Sequence, residues 1–178
     1  MIVATNTPNP KWKEKIDITY EEYWKTPYEI PHEGLVKLVR TMEEELGKEK
    51  AHELLLKTQQ RHHREMAAKM THVKPIEKLI DFAEGYMPEN WGKRYKAALD
   101  GEAEMVSPTE FRLTMRSCLW AKTFREMGAE DIGYIWCCLA DNALTEALSP
   151  HLKLYRTKTL MMGDDHCNYC WKWEEDEK

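Results

Sequence analysis

The chain contains no apolar run approaching the roughly 20 residues that a membrane-spanning helix requires. Its composition, 42% hydrophobic and 32% charged residues, is ordinary for a globular protein outside a membrane. The first residues lack the basic segment, apolar core and small-residue cleavage site of a secretion signal, so the expected location is the cytoplasm. A length of 178 residues suits a single domain.

Other absences narrow the function. A net charge of −5 argues against a nucleic-acid partner, since such proteins usually carry a basic face. No glycine-rich phosphate loop follows a predicted strand, so we expect no cofactor, and a small molecule is the expected partner. The five cysteines are an odd number, which argues against a disulfide framework and favours reduced thiols, a metal site or catalysis.

The first hundred residues are predicted to be mostly helical. Prolines among aromatic residues over 1–30 are typical of an N-terminal arm, extended or with short helices. Beyond it, apolar residues at helical spacing, prolines at helix starts and glycines at helix ends predict four further helices, over 31–47, 48–72, 75–85 and 89–99.

The apolar period changes to two residues after Pro108, which predicts a strand over 109–117. Helices are predicted over 119–127 and 131–148, the second with Asp131 as its N-cap. Two antiparallel strands, over 152–161 and 167–173, flank the turn sequence 163–165. The sequence therefore predicts one α+β domain over 31–174, an N-terminal helical layer (31–101) packed with a small, mainly antiparallel sheet (within 105–174).

Two chemical groups share one face of the helix over 131–148. The apolar residues of this helix gather on one side, so Cys138 and Asp141, three residues apart, lie together on the other. A cysteine on a solvent-facing side is an oxidation liability, which favours a functional role. The alternative is that the helix is covered on both sides and Cys138 is a small core residue.

A zinc site is the second chemical hypothesis. Cys167-x-x-Cys170, together with Cys137, Cys138 or His166, would supply ligands for a tetrahedral zinc ion. Cys167 and Cys170 lie in a predicted strand, however, where an offset of three residues points them to opposite faces. We therefore predict no metal.

Histidines give a weaker signal. His62 falls on the meridian of Leu55 and Met66 in the helix over 48–72, and His63 is expected to be its solvated neighbour. A histidine in that position is more often a hydrogen-bonded core residue than a catalytic base.

Several motifs of the C-terminal third occur together in one order. They are Cys118-x-Trp120-Ala121, Gly133-Tyr134, Cys138-x-x-Asp141, Leu152-Lys153-Leu154, Arg156-Thr157-Lys158-Thr159 and Gly163-Asp164-Asp165-x-Cys167. In this order and spacing, residues 117–171 resemble the L-2-amino-thiazoline-4-carboxylic acid hydrolase family. The chain departs from the family pattern at Leu119, where that pattern has proline, and near Cys170, where it has an aromatic or basic residue.

The resemblance implies a cysteine-dependent hydrolase that opens a small cyclic amidine or amide to an N-carbamoyl amino acid. Carbon C2 of a thiazoline lies between sulfur and two nitrogens, so attack by a thiolate can expel the ring thiolate with little acid assistance. We therefore expect Cys138 or Cys167 to be the nucleophile and Asp141 to orient or deprotonate. Cys118, at a strand end, is expected to be a packing residue.

Substrate binding is expected to fall to charged side chains. Arg156 or Lys158 would bind the substrate carboxylate, because strand alternation places both on the face of Leu152. Asp165 and His62 are the further candidates for substrate contact. The alternative function, a non-catalytic sensor domain that binds a small molecule or a metal, stays open at this point, and the sequence does not predict the oligomeric state.

Overall fold

A long helical hairpin forms the N-terminal part of the molecule. In the computed structural model, which describes residues 17–86 and 98–175, three helices come first: α1 (Tyr20–Trp24), α2 (Ile30–Leu46) and α3 (Lys48–Val73). Gly47 separates α2 from α3 with a φ of 81°, a left-handed conformation that favours glycine. The predicted helices over 31–47 and 48–72 are therefore confirmed. Within the described ranges, no helix is both long and apolar enough to cross a lipid bilayer.

The predicted N-terminal arm is helical from residue 20 onward, and residues 1–16 lie outside the described part. A turn of π-helix, Lys25–Glu29, connects α1 to α2. Trp24 is only 2% exposed, and its indole N–H donates a hydrogen bond of 3.1 Å to the hydroxyl of Thr123. This segment is therefore fixed to the body of the molecule.

The helix predicted over 75–85 is shorter than expected. Helix α4 spans Leu79–Ala83 and runs into a 3₁₀ turn, Glu84–Tyr86. The carboxylate of Asp81 accepts hydrogen bonds from the backbone N–H groups of Glu77 and Lys78, at 3.2 and 3.0 Å. These bonds fix the residues before the first turn of α4, so the helix begins at Leu79 and not at Pro75. Gly85 belongs to the 3₁₀ turn and is not a left-handed cap. Most of the helix predicted over 89–99 falls on residues 87–97, outside the described ranges.

Four antiparallel strands form the sheet, in the order β1-β2-β4-β3. Their bounds are β1 Leu99–Ser107, β2 Glu110–Cys118, β3 Leu152–Tyr155 and β4 Cys167–Trp173. The predicted strands over 109–117 and 167–173 correspond to β2 and β4. The α+β class predicted from the sequence is thereby confirmed.

Strand β1 was not predicted, and it begins inside the segment assigned to helix. It alternates half-buried and exposed residues along its whole length and pairs with β2. Its inward residues include Gly101 and Ala103, whose small side chains give a weak apolar period. At Gly101 a Cβ atom would lie 2.4 Å from the carbonyl oxygen of Thr114, so the strand approaches its neighbour closely there.

Strand β3 is shorter than the predicted strand over 152–161. Beyond Tyr155 the backbone N–H groups of Thr157 and Lys158 donate to the side-chain oxygen of Asn168, at 3.0 and 2.7 Å. The side chain of Asn168 thus replaces a strand partner, and Leu160–Met162 then forms a 3₁₀ turn. Arg156 and Lys158 therefore lie in a loop, and the predicted alternation with Leu152 does not reach them.

The helix predicted over 131–148 is present but interrupted. After α5 (Leu119–Glu126), helix α6 (Glu130–Gly133) leads through a π-helical turn (Tyr134–Cys138) into α7 (Ala140–Leu148). Asp131 is not the N-cap, because the helix already begins at Glu130. Its carboxylate instead bonds Arg40 of α2 and Lys48 of α3, at 2.9 and 2.6 Å.

Two clusters of buried side chains make up the core. The first joins the sheet to α3, α4 and α7; among its members are Leu79, Phe82, Phe111, Leu113, Leu144, Leu152, Cys167 and Trp171. The second lies between α2, α3 and the segment from α5 to the π-helical turn; among its members are Val39, Leu55, Phe124, Ile132, Ile135, Cys138 and Met161. Leu160 packs against both clusters. Cys138 and Cys167 therefore lie on either side of the line where the two clusters meet.

Candidate active site

The π-helical turn at Tyr134–Cys138 shapes one wall of the candidate site. The N–H of Leu139 donates to the carbonyl of Tyr134, 2.8 Å away and five residues earlier, which is the wider winding of a π-helix. Such turns occur often at functional sites, because they redirect backbone carbonyls and side chains. The carbonyl of Cys138 accepts a hydrogen bond of 2.6 Å from Arg156.

Arg156 is held on three sides. Its side chain is only 5% exposed. One guanidinium nitrogen donates to the carbonyl of Cys138, another lies 2.8 Å from the carboxylate of Asp141, and the guanidinium carbon lies 4.7 Å from the ring centre of Tyr169. A planar guanidinium suits such a bidentate and stacked arrangement, which a lysine would not reproduce. The cation therefore ties the loop after β3 to α7 and β4.

Asp141 is the part of this ion pair that reaches solvent. Its side chain retains 31% of its surface. Desolvation raises the pKa of this carboxyl group above its ordinary value, and the charges of Arg156 and His63 act in the opposite direction. The carboxyl group is thus placed where a proton can be gained or lost.

The charge of Asp141 acts on four thiols, those of Cys118, Cys137, Cys138 and Cys167. Cys138 is 8% exposed, Cys167 is 4% exposed and Cys118 is half-buried. Burial raises the pKa of each, that of Cys118 to about 11, and the charge of Asp141 raises the pKa of all three further.

The thiols of Cys118, Cys138 and Cys167 differ in the groups that lower their pKa against the effect of burial. The N–H of Leu160 lies 3.2 Å from the Cys167 sulfur, and both this donor and Arg156 lower the pKa of that thiol. For Cys138, only Arg156 opposes the effect of burial on the pKa, which is raised strongly. For Cys118, backbone N–H groups in the first turn of α5 lower the pKa without forming a capping hydrogen bond. Cys118 packs against the second core cluster.

Helix 131–148 is covered on both sides, as the alternative hypothesis for Cys138 held. Ile132 and Thr145, on its two faces, are 0% and 2% exposed, and the Thr145 hydroxyl accepts the indole N–H of Trp171 at 3.1 Å. Cys138 belongs to a core cluster and still adjoins Arg156.

His63, and not His62, faces the site. His62 is exposed, so the core position expected for it is wrong. His63 is half-buried, acts on Asp141 through its charge, and has Nδ1 at 2.9 Å from the carbonyl oxygen of Gln59. Since a carbonyl only accepts, Nδ1 carries the proton and Nε2 is the nitrogen left to accept one. The inward positions of α3 recur every four residues, and this spacing was the sequence signal for His63. They are Ala51, Leu55, Gln59, His63 and Ala67.

Lys158 and Asp165 bond each other at the surface. The ammonium of Lys158 lies 3.1 Å from Asp165, whose side chain is 74% exposed. Hydrogen bonds from Lys158 and His166 lower the pKa of Asp165 to about 2. Among the described interactions, Arg156 contacts Asp141, whereas neither Lys158 nor Asp165 contacts Asp141 or a buried thiol.

A different set of side chains has metal-ligand spacing. Ligand atoms of Glu43, His52 and Asp131 lie within 4.8 Å of one another, and the cysteines are not part of this group. Arg40 bonds both carboxylates and Lys48 bonds one of them, so the negative charge is already neutralised. This group joins α2, α3 and α6 as an ion-pair network.

The sequence profile of one family, L-2-amino-thiazoline-4-carboxylic acid hydrolase, matches residues 27–171. The chain belongs to this family. The resemblance found in residues 117–171 is therefore confirmed, and it extends through the helical hairpin. Among curated proteins no relative matches.

Two solved structures resemble the fold more loosely. One is the phenol-responsive sensory domain of the transcription activator PoxR with phenol, at 16% identity and a TM-score of 0.48, covering 79% of this chain and 73% of that one. The other is a trafficking protein particle complex subunit 3 from Naegleria fowleri covalently bound to palmitic acid, at 11% identity and a TM-score of 0.49, covering 82% and 96%. Both scores are too low to carry an argument.

Proposed function

We propose that this member of the family is a cysteine-dependent hydrolase that opens a small cyclic amidine or amide, with L-2-amino-thiazoline-4-carboxylic acid as the first substrate to test. The observation that carries the proposal is that Arg156, paired with Asp141, bonds the carbonyl of Cys138, while its charge acts on the thiols of both Cys138 and Cys167. Such a site holds a nucleophile, a cation for the substrate carboxylate and a group that exchanges protons.

Cys167 is the better nucleophile of the two. A thiolate must form before attack, and burial opposes it at both positions. At Cys167 the N–H of Leu160 and the charge of Arg156 both favour the thiolate, whereas Cys138 has only the charge. Cys138 contributes its carbonyl to holding Arg156, which is a positioning role.

His63 and Asp141 supply the proton transfers. His63, whose Nδ1 donates to the carbonyl of Gln59, offers Nε2 as a base for the attacking water. Asp141 lies near His63 and would stabilise the imidazolium that forms. The guanidinium of Arg156 has further N–H groups beyond its two hydrogen bonds, and in the proposed complex one of these donates to the substrate carboxylate.

The reaction proceeds in two balanced steps. In the first, the Cys167 thiolate forms a bond to C2 of the ring, the C2–S bond breaks, and the ring sulfur leaves with the proton that Cys167 had lost. In the second, water forms a C2–O bond, the bond between C2 and the Cys167 sulfur breaks, and the thiol regains its proton. The sum is the addition of one water molecule, which gives an N-carbamoyl amino acid with a free thiol.

Turnover of the thiazoline by purified variants tests the proposal. We expect Cys167→Ser to lower kcat by at least about 100-fold. Cys138→Ser should retain measurable turnover, and Cys170→Ser is the matched control, because Cys170 pairs with the exposed Arg112 and Tyr155 on the outer face of the sheet. Mass spectrometry of the wild-type enzyme during turnover should detect the substrate-derived adduct on Cys167.

The outcomes separate the possible nucleophiles. Full activity of Cys167→Ser with loss of activity in Cys138→Ser would assign the attack to Cys138. Activity in both variants would exclude Cys138 and Cys167 as the essential nucleophile, and a water molecule activated by His63 would take that role.

One observation favours a non-catalytic sensor as the second candidate. The pKa values of Cys118, Cys138 and Cys167 are all raised, so the thiols are protonated near neutral pH, which suits binding better than attack. A cyclic amidine that raises the melting temperature of the protein without being converted to product would support this candidate. Product formation that depends on Cys167 would exclude it.

A further inference from the structure

A single peptide group in the loop before β4 lies against the sulfur of Cys167. Its N–H, that of Leu160, is 3.2 Å from the sulfur. Its carbonyl, that of Thr159, accepts the backbone N–H groups of Met162 at 3.1 Å and Asp164 at 3.2 Å. The peptide therefore donates to the thiol at one end and accepts two hydrogen bonds at the other.

This arrangement strengthens the donor. Hydrogen bonds in a chain polarise one another, so a carbonyl that accepts two donors makes the N–H of the same peptide a better donor. The effect is largest when the acceptor carries charge, as the Cys167 sulfur does once it is a thiolate. The Thr159–Leu160 peptide thus resembles the backbone donors that stabilise developing negative charge in other active sites.

Side chains of the same loop keep the peptide in place. The carboxylate of Asp164 accepts the N–H of Thr159 at 2.7 Å, and the Thr159 hydroxyl accepts the N–H of Met162 at 3.3 Å. Gly163 reverses the chain with a φ of 96°, which brings Asp164 back to Thr159. On the other side, Arg125 donates to the carbonyl of Leu160 at 3.1 Å.

We infer that Asp164 is a positioning residue for the nucleophile: its carboxylate fixes the Thr159–Leu160 peptide so that the Leu160 N–H points at the Cys167 sulfur. The inference rests on the proposed function in that Cys167 is the reacting group. It assigns Asp164 and its neighbour Asp165 different roles. Asp164 acts inward on the turn, and Asp165 is an exposed partner of Lys158.

Asp164 has two opposite effects on the thiol, and the test must separate them. Its negative charge raises the pKa of Cys167, whereas the Leu160 N–H that it positions lowers that pKa. Asp164→Asn and Asp164→Ala remove the same charge. Only the Asn variant keeps a side-chain oxygen that can accept the N–H of Thr159. The difference between the two variants therefore reports the hydrogen bond alone.

The experiment measures how alkylation of Cys167 by iodoacetamide depends on pH, with each cysteine followed by peptide mass spectrometry. We expect the midpoint for Asp164→Ala to lie about one pH unit above that of Asp164→Asn, so that at a fixed lower pH it reacts about tenfold more slowly. Cys170 in the same samples is the internal control and should react equally in both variants. Equal Cys167 midpoints in two folded variants would overturn the inference.

A second pair covers the case in which the Asp164 variants do not fold, as judged by circular dichroism. Thr159→Ser keeps the hydroxyl that accepts the N–H of Met162, and Thr159→Ala removes it. We expect the Cys167 midpoint to be higher in Thr159→Ala than in Thr159→Ser, and equal midpoints would again contradict the inference. Failure of the proposed function has a different signature: Cys167→Ser would remain active while the Asp164 variants still differ in their midpoints.

Discussion

A guanidinium nitrogen of Arg156 lies 2.8 Å from the carboxylate of Asp141, and this ion pair joins the loop after β3 to the first turn of α7. The side chain of Arg156 is 5% exposed and that of Asp141 is 31% exposed. The buried cation therefore depends on the more exposed carboxylate for its counter-charge. Desolvation makes the loss of either partner costly, because the other is left without its counter-charge.

The first prediction concerns this dependence. We expect Asp141→Asn to destabilise the protein by about 3 kcal/mol, because it leaves the buried Arg156 cation without a counter-charge. The double variant Asp141→Asn/Arg156→Met should recover part of that loss, since the unpaired cation is removed as well. Urea unfolding of the two single variants, the double variant and the wild type completes the cycle. Additive losses would show that the two groups are not coupled.

The second prediction concerns acid stability at the helical hairpin. Partial burial alone would raise the pKa of Asp131, but hydrogen bonds from Arg40 and Lys48 hold it well below its ordinary value. The folded state therefore favours the charged carboxylate, and its stabilising effect is present above the unfolded-state pKa of about 4 and is lost as the pH falls through the folded-state pKa. Asp131→Asn should be about 1 kcal/mol less stable than wild type at pH 7.

Urea unfolding at pH 7 and pH 3 checks this sign. The stability difference between wild type and Asp131→Asn should shrink at the lower pH, where the unfolded-state carboxylate is protonated. A difference that is equal at both pH values would contradict the ion-pair explanation.

The third prediction ranks the buried thiols by reactivity. Near pH 8, iodoacetamide should modify Cys167 at least about tenfold faster than Cys138, because a backbone donor and Arg156 favour its thiolate. Cys137, whose pKa burial raises well above the ordinary value, should be among the slowest. Peptide mass spectrometry over time gives the order, and earlier labelling of Cys138 would restore it as the preferred nucleophile.

The fourth prediction concerns the glycine before the π-helical turn. A Cβ atom at Gly133 would lie 2.5 Å from the ring of Phe124 and 2.7 Å from the sulfur of Met161, so Gly133→Ala should cost about 1–3 kcal/mol through overpacking. Gly34, inside α2, is the matched control, because a Cβ atom there meets nothing within 4 Å. Gly34→Ala should stabilise the protein by up to about 1 kcal/mol. Thermal unfolding of both variants measures the contrast, and a neutral Gly133→Ala would show that the ring can move aside.

The sequence predicts the elements with a strong period. Helices α2 and α3, with Gly47 between them, and strands β2 and β4 follow from apolar spacing and turn residues alone. Strand β1 does not, because three of its five inward positions carry the small residues Gly101, Ala103 and Ser107, which give a weak apolar period. The end of β3 is set by the side chain of Asn168, a tertiary contact that no local pattern reveals.

The contact between Arg156 and Asp141 could not be predicted from local spacing, because Arg156 lies in a loop and not in the predicted strand. Family motifs brought Cys138, Asp141, Arg156 and Cys167 together, and the structure places Arg156 and Asp141 in contact. The choice between His62 and His63 failed for a geometric reason. Seven residues turn an α-helix by about 700°, so His62 does lie near the meridian of Leu55. The buried side of α3 instead advances in steps of four residues, because Leu55 packs in the second core cluster and Ala67 in the first.

The strand order β1-β2-β4-β3 leaves β1 and β3 as the two rims of the sheet, where unpaired backbone groups could recruit a strand from another molecule. Strand β3 is only four residues long, which offers little backbone to pair with. Strand β1 is longer, but its outward side carries Asp100, Glu102 and Glu104, and its register shifts after Asp100 and again after Met105. Like charges on an irregular rim repel a second copy of the same strand, so this sheet is built to resist edge-to-edge aggregation.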